Sequence, residues 1–382
     1  MNASGCTRGA SPMRSVNGAG QVHLVGSVPV GDGDAESVFR LAANLLGHTL
    51  RRIPDGQTGL RTDTLAWQAA VFQRSRDFRQ NRTGTRRAPF GHYALRPGSV
   101  AAEIDLGRLG NVEIAWSSYQ VFARLKASGI IAPNTRFQVS LPTPMSVVSS
   151  LVTEADRTRV ELIYYDAMAT ELANLQARVP PGEVAVQWDV SGELAMLERV
   201  EDIGRRDEDL DVIAGRLSDL GNLVEPGVEL GYHLCHGHGS SVRVTRPSDL
   251  GLLVSLANAV RSRMRRSVDF LHLPVPRHRI EPEYFAPLRD LVLPRDTDLF
   301  LGLIHVADGA DGAALRIASA RTAVANFGVA TECGFDGGSP DMVKRLLLLH
   351  RKLIAPWDHP GFVGGRESVK DDRCGSSKQI PG

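Results

Sequence analysis

The sequence predicts a single (β/α)8 (TIM) barrel of the α/β class, with an inserted cap region between its second and third strands. Three observations predict it. Apolar, strand-like runs alternate with longer helix-period stretches from residue 21 to residue 362. Alternation repeated this often implies parallel strands joined by right-handed crossovers. The strand-like runs number eight, the number that closes such a barrel, whose active site lies at the C-terminal strand ends.

The strands read as Val22–Ser27, Leu50–Pro54, Arg136–Leu141, Val184–Asp189, Val228–Cys235, Val268–Leu273, Leu299–His305 and Gly328–Cys333. Between them lie helical patterns over Glu36–Leu46, Arg157–Arg178, Asp207–Leu223, Asp249–Met264, Ala314–Phe327 and Met342–Leu353. Pro247-Ser248-Asp249 and Ser339-Pro340-Asp341 put proline and acid where helix N-termini accept them. Residues 70–130 form a long excursion, rich in arginine at Arg74, Arg76, Arg79, Arg82, Arg86 and Arg87. Its middle, Tyr93-Ala-Leu-Arg-Pro-Gly98 followed by Asn111–Trp116, reads as a hairpin. A long non-repetitive connection of this kind suggests a lid on the barrel mouth, against the alternative of a solvated loop without a role. Residues 1–20 and 363–382 are polar and rich in Gly and Ser, as expected of flexible tails.

Composition excludes several functions. The chain carries 44 basic and 43 acidic residues, a net charge of +1, which leaves no electrostatic footprint for nucleic acid or an anionic membrane. The basic run Arg261–Arg266 closes a helical pattern, where cations complement the helix dipole. No stretch approaches the ~20 continuous apolar residues needed to span a bilayer, and the N-terminus has no secretory h-region. Of four cysteines, Cys6 and Cys374 lie in the tails, leaving Cys235 and Cys333 in the body. Two such cysteines without a secretion signal point to a reducing, cytoplasmic setting rather than a disulfide framework.

The chemistry concentrates in Gly231-Tyr-His-Leu-Cys-His-Gly-His238. Residues two apart in a strand share a face, so His233 and Cys235 project together at the strand's C-terminal end. The last strand ends in Cys333 at the same level. Two thiolates and one imidazole suit tetrahedral zinc, and three protein ligands with an open fourth position describe a catalytic site. The alternative is two buried structural thiols beside a hydrogen-bonded core histidine. His236 and His238 follow in a glycine-rich loop, to gate the site or to be solvated.

These residues resemble the catalytic domain of cobalamin-independent methionine synthase, in the barrel superfamily that includes uroporphyrinogen decarboxylase and the coenzyme M methyltransferases. The resemblance spans about residues 21–355. It is carried, besides His-x-Cys and Cys-Gly, by His23-Leu-Val-Gly-Ser-Val-Pro29, Arg52-Ile-Pro-Asp-Gly-Gln57, Val139-Ser-Leu-Pro-Thr-Pro144 and Val186-Gln-Trp-Asp189. It implies that His233, Cys235 and Cys333 ligate zinc, and that the zinc binds a small-molecule thiol as thiolate for attack on an alkyl donor. The sequence departs from that family in lacking a duplicate N-terminal barrel. It also lacks a clear counterpart of the family's glutamate ligand: Val268–Pro276 occupies that region and offers His272. His272 is then a fourth ligand, a general acid or base, a partner of a ligand, or a bystander. Val190 follows Asp189 where the family has Asp-Glu-Pro, which leaves Glu193 as a substitute. These departures imply a different substrate from methyl-folate and homocysteine.

Other strand-end residues complete the expected site. Asp55, before Gly56, is either a catalytic carboxylate or turn chemistry. Asp189, beside Trp188, is a substrate contact, as are Trp188 itself and Ser27. His305 is an acid/base candidate through its near-neutral pKa. Glu332 precedes Cys333 and is expected on the opposite face, paired to a helix. Arg277, with His278 and Arg279 in a proline-stiffened loop, offers an anion clamp. Gly334-Phe-Asp-Gly-Gly338 is a weak phosphate-loop signal, and no Walker-type segment occurs. The leading function is a zinc-dependent alkyl (methyl) transferase acting on sulfur. The competitors are a zinc carbon–sulfur lyase or decarboxylase on the same barrel, and a non-catalytic metal- or thiol-binding barrel.

Overall fold

The computed structural model describes residues 20–30, 33–81, 91–200, 202–236, 247–335 and 338–355. Its strands, in chain order, are β1 (Arg52–Pro54), β2 (Phe78–Asn81), β3 (His92–Leu95), β4 (Arg136–Pro142), β5 (Val184–Val190), β6 (Glu229–Leu234), β7 (Phe270–Pro274), β8 (Asp298–Ile304) and β9 (Gly328–Thr331). Seven of them form one curled sheet in the order β1-β4-β5-β6-β7-β8-β9, with every neighbouring pair parallel. Helices join consecutive strands, so the chain is a TIM-barrel-like α/β fold. No helix among the described residues is long and apolar enough to cross a membrane.

The expected first strand, Val22–Ser27, is not a strand. Val22 makes isolated parallel bridges to Leu50 and to Val329, so one residue links both edges of the seven-stranded sheet. The carbonyls that follow it are claimed from inside. Gln138 Nε2 donates to Leu24 O and Val25 O at 3.0 and 3.2 Å, Ser140 Oγ to Val25 O at 3.1 Å, and Gln187 Nε2 also to Val25 O. Interior amides thus satisfy backbone acceptors that a strand ladder would otherwise pair.

The insert differs in a second way. Its hairpin pairs β2 with β3, in the register Phe78↔Leu95 to Asn81↔His92, and Asn111–Trp116 instead begins the helix Asn111–Ala127. The cause is distant in sequence. The Glu171 carboxylate accepts the N–H groups of Gly110, Asn111 and Val112 at 2.8–3.4 Å and caps the helix from another helix. The hairpin docks on residues 152–156, through Thr153 N–H to Tyr93 O and Leu95 N–H to Asp156. One further helix is displaced: Gly309–Ala320 replaces the expected Ala314–Phe327, because the glycines at its start belong to its first turn. Helices Arg157–Arg178 and Pro340–Ile354 fall where the periodicity puts them, the second capped by Ser339 with proline at its first position.

Side chains inside the curled sheet lie in layers. At the base, the Arg52 guanidinium bridges Glu229 (2.5 Å) and Asp298 (3.1 Å), all on the first residues of their strands. Above it, Phe270, Phe300 and Ala185 form an apolar cluster separate from the main core, with Arg52 stacked 4.1 Å over the Phe270 ring. Gly231 is required there, since a Cβ would fall 2.2 Å from that ring. The next layer is polar: His23 Nε2 lies 2.8 Å from Gln187 Oε1, beside Gln138.

Two predictions follow from burial. Arg52→Ala leaves the buried Asp298 with only the half-exposed Arg51, 3.3 Å away, as a cationic partner, and is expected to cost about 3 kcal/mol in urea unfolding. A loss below about 1 kcal/mol would show that the cluster is solvated. His350 is buried in the last helix, its Nδ1 bonded to Leu346 O, and burial pushes its pKa down to about 4. A histidine with a depressed folded pKa is protonated first in the unfolded chain, so stability is lost as pH falls from about 6.5 toward about 4. Unfolding at pH 7 and pH 5 should therefore show an acid loss that His350→Leu reduces by about 2 kcal/mol; an unchanged pH slope in the variant would refute it.

Candidate metal centre

β6 carries His233 inward, and Cys235 N–H donates to Val190 O at 2.7 Å, which keeps the chain in register one residue past the strand. His233 and Cys235 therefore share a face, both buried. Cys333 arrives differently. β9 ends at Thr331, and the chain bends so that the Thr331 hydroxyl donates to Cys333 O. This bend presses into β8 at Gly302, where a Cβ would lie 2.8 Å from Glu332 Cα and Thr331 O. Only glycine leaves room for it.

The three donors converge. Cys333 Sγ lies 3.6 Å from Cys235 Sγ and 3.4 Å from His233 Nε2. With Zn–S near ~2.3 Å and Zn–N near ~2.05 Å, a tetrahedron has edges of about 3.8 Å (S···S) and about 3.6 Å (N···S). The observed separations match those edges to about 0.2 Å, and the thiols are not joined as a disulfide. Two thiols and an imidazole are a donor set that could hold a metal ion and suits zinc. Among the described residues no fourth His, Cys, Asp or Glu joins this group.

His272 stands beside the trio rather than in it. The β6–β7 register sets it opposite His233, and its Nδ1 lies 2.6 Å from His233 Nδ1. Its Nε2 is 3.1 Å from Thr331 O. Burial, then the neighbouring His233, hold its pKa well below the ordinary imidazole value. Asp189 continues the same row on β5, opposite His233, half-buried, and accepts from Gln187 Nε2 at 2.8 Å.

The other expected residues separate by position. His305 follows β8 with Nε2 2.9 Å from Val275 O and Nδ1 3.8 Å from Glu332. Burial and the nearby Arg316 lower its pKa to about 4. Glu332 thus meets His305. Asp55 accepts from Arg61 (2.5 Å), Ser118 (3.0 Å) and the Gln57 N–H (3.0 Å), which is turn and scaffold chemistry. Trp188 alternates with Asp189, so it faces the helical layer with its sheet neighbour Tyr232, whose hydroxyl donates to Leu217 O. Ser27 is buried, and its carbonyl accepts the Phe335 N–H, tying the first connection to the Cys333 loop. Arg277 is exposed, while Arg279 is held by Glu281 and Pro247 O over Tyr284. His238 lies outside the described residues.

Two features were not anticipated. His236 Nδ1 lies 2.6 Å from Glu198 in a buried pair, and Ser146 bonds the buried Glu193, whose pKa burial raises. No local signal marks Glu198, which is 38 residues from its partner. A groove of about 580 Å³ along Trp67 and, in the insert, Arg74 and Arg108 shares no residue with the donor trio. The chemistry, not that concavity, locates the site.

No protein-family model matches the sequence, and no curated protein matches it significantly. Solved structures do share the fold. A B12-independent methionine synthase from Shewanella sp. W3-18-1, in complex with selenomethionine, aligns with a TM-score of 0.54 and 16% identity over 90% of this chain and 97% of that one. A methyltransferase from Methanosarcina mazei aligns with a TM-score of 0.52 and 12% identity over 91% and 96%. The chain therefore has the fold of methionine synthase-like methyltransferases at low sequence identity.

Gly302→Ala tests how the bend delivers Cys333. The added methyl forces the Glu332 backbone outward, and zinc affinity in chelator competition is expected to fall about 10–100-fold, the range for substitutions that support a ligand. Wild-type affinity in a folded Gly302→Ala protein would show that the bend does not set the Cys333 position.

Proposed function

We propose that the chain is a zinc-dependent alkyl (methyl) transferase that activates a small-molecule thiol, in a reducing, cytoplasmic setting. One observation carries the reading: the Cys333–Cys235 and Cys333–His233 separations match two edges of a zinc tetrahedron, and among the described residues no fourth protein ligand joins the trio, which leaves a corner for an exogenous thiol. The fold shared with methyltransferases supports it. Zinc held there would lower the pKa of a thiol at that corner and present it as a nucleophile at neutral pH.

The chain's own residues would do the rest. Asp189, oriented by Gln187 one layer below, offers a carboxylate to a cationic group of the substrate. His305, held neutral by burial, bonds through its Nε2–H to Val275 and turns Nδ1 toward Glu332, a pair at the mouth able to carry a proton. Ser27 and Arg277 belong to connections around the same rim, Arg277 exposed to an anionic substrate group. Trp188 and Asp55 act from behind, by packing β5 and by holding the turn after β1. We read the segment around Val22 as the eighth stave of a closed barrel, and the hairpin insert as its cap. A purely structural metal is disfavoured, since that role requires a closed set of four protein ligands and the described residues supply three.

Metal analysis of purified protein should give about one zinc per chain, lost in Cys235→Ser/Cys333→Ser. X-ray absorption at the zinc edge should then gain one sulfur neighbour when the protein meets its thiol. Stoichiometric zinc in the double variant would overturn the site, and a first shell unchanged by a broad panel of thiols would overturn the transferase in favour of the lyase.

A further inference from the structure

We infer that His272 is the positioning residue of the metal centre, fixing His233 in the Nδ1–H tautomer so that the Nε2 lone pair is directed at the metal. The inference rests on the metal-centre reading above. It follows from counting protons along a chain of three contacts. Thr331 O can only accept, so the His272 nitrogen 3.1 Å from it, Nε2, carries a hydrogen. His272 is fully buried and packed at a tilt beside two further imidazoles, with His23 at 5.7 Å and His233 at 4.7 Å between ring centroids. A second proton on His272 would bury a cation in that interior, with a carbonyl and two imidazoles beside it and, among the described residues, no carboxylate bonded to it. Its Nδ1 is therefore bare.

The two Nδ1 atoms are 2.6 Å apart, a separation that needs one hydrogen between them. That hydrogen belongs to His233. A neutral His233 protonated at Nδ1 has an unprotonated Nε2, the atom 3.4 Å from Cys333 Sγ. Metal-ligating histidines usually give their second ring N–H to a carboxylate or carbonyl. Here an imidazole takes that place, and a backbone carbonyl orients the imidazole in turn. The carbonyl belongs to Thr331, two residues before Cys333. One ligand's tautomer is thus set by the backbone that carries another ligand, and His272 is the joint between them.

The test uses full-length protein, wild type and two variants. His272→Gln retains an acceptor for His233 and a donor for Thr331 O, whereas His272→Leu retains neither. Histidine ring 15N shifts of metal-free wild type, with His233 assigned from its absence in His233→Asn, should show Nδ1 protonated and Nε2 bare. An Nε2–H form of His233 in wild type overturns the inference without recourse to any His272 variant. Chelator competition should show zinc affinity weakened about 10–100-fold in His272→Leu and largely restored in His272→Gln. Wild-type affinity in a folded His272→Leu protein also overturns it. Wild type that binds no zinc at all overturns the metal-centre reading instead, while the 15N shifts still decide the tautomer.

Discussion

The register of three central parallel strands governs this molecule. Pairing of Asp189 with His233, and of His233 with His272, puts three polar side chains in one inward row at the C-terminal end of the sheet. A slip of one residue on β6 would send His233 and Cys235 into the helical layer and bring Tyr232 and Leu234 inward. Register is protected by what lies beneath. Phe270 fills the space that Gly231 vacates, and Arg52 sits on the Phe270 ring while holding Glu229 and Asp298. The donor row is therefore fixed by packing and ion pairing that take no part in it.

The interior is unusual for a barrel in its polarity. Barrel interiors are generally filled by branched apolar side chains. Here glutamines, histidines and an ion cluster fill several layers, with Phe270, Phe300 and Ala185 as an apolar cluster among them. Those polar groups remain affordable inside because they bond one another or the backbone of the segment after Val22. The same amides that line the interior thus replace a strand ladder, which is why that segment departs from regular β-structure.

Local pattern made the centre of the fold legible and left its margins obscure. The alternation in Gly231–Cys235 was enough to put His233 and Cys235 on one face, because a strand's period is a property of the strand itself. Trp188 shows the same rule in reverse: as the neighbour of an inward Asp189, it had to face outward. Cys333 was placed at the right level, but its approach was not readable. It depends on a bend after Thr331 and on the absence of a side chain at Gly302, on another strand. The helix at Asn111 was missed for a similar reason, since its capping carboxylate, Glu171, comes from a separate helix. The partnerships of Asp55 with Ser118 and of His236 with Glu198 also join distant residues. Such contacts leave no trace in spacing.

The bridges at Val22 have a mechanical meaning. His233 and Cys235 stand on a strand flanked on both sides by continuous ladders, while Cys333 hangs from β9, whose outer edge is joined, among the described residues, by isolated bonds around Val22 and by Phe335 N–H to Ser27 O. The donor trio is therefore built like a vice with one fixed jaw and one sprung jaw. Any adjustment of the trio to a bound metal would fall on the Cys333 side, along a seam where few backbone bonds resist it.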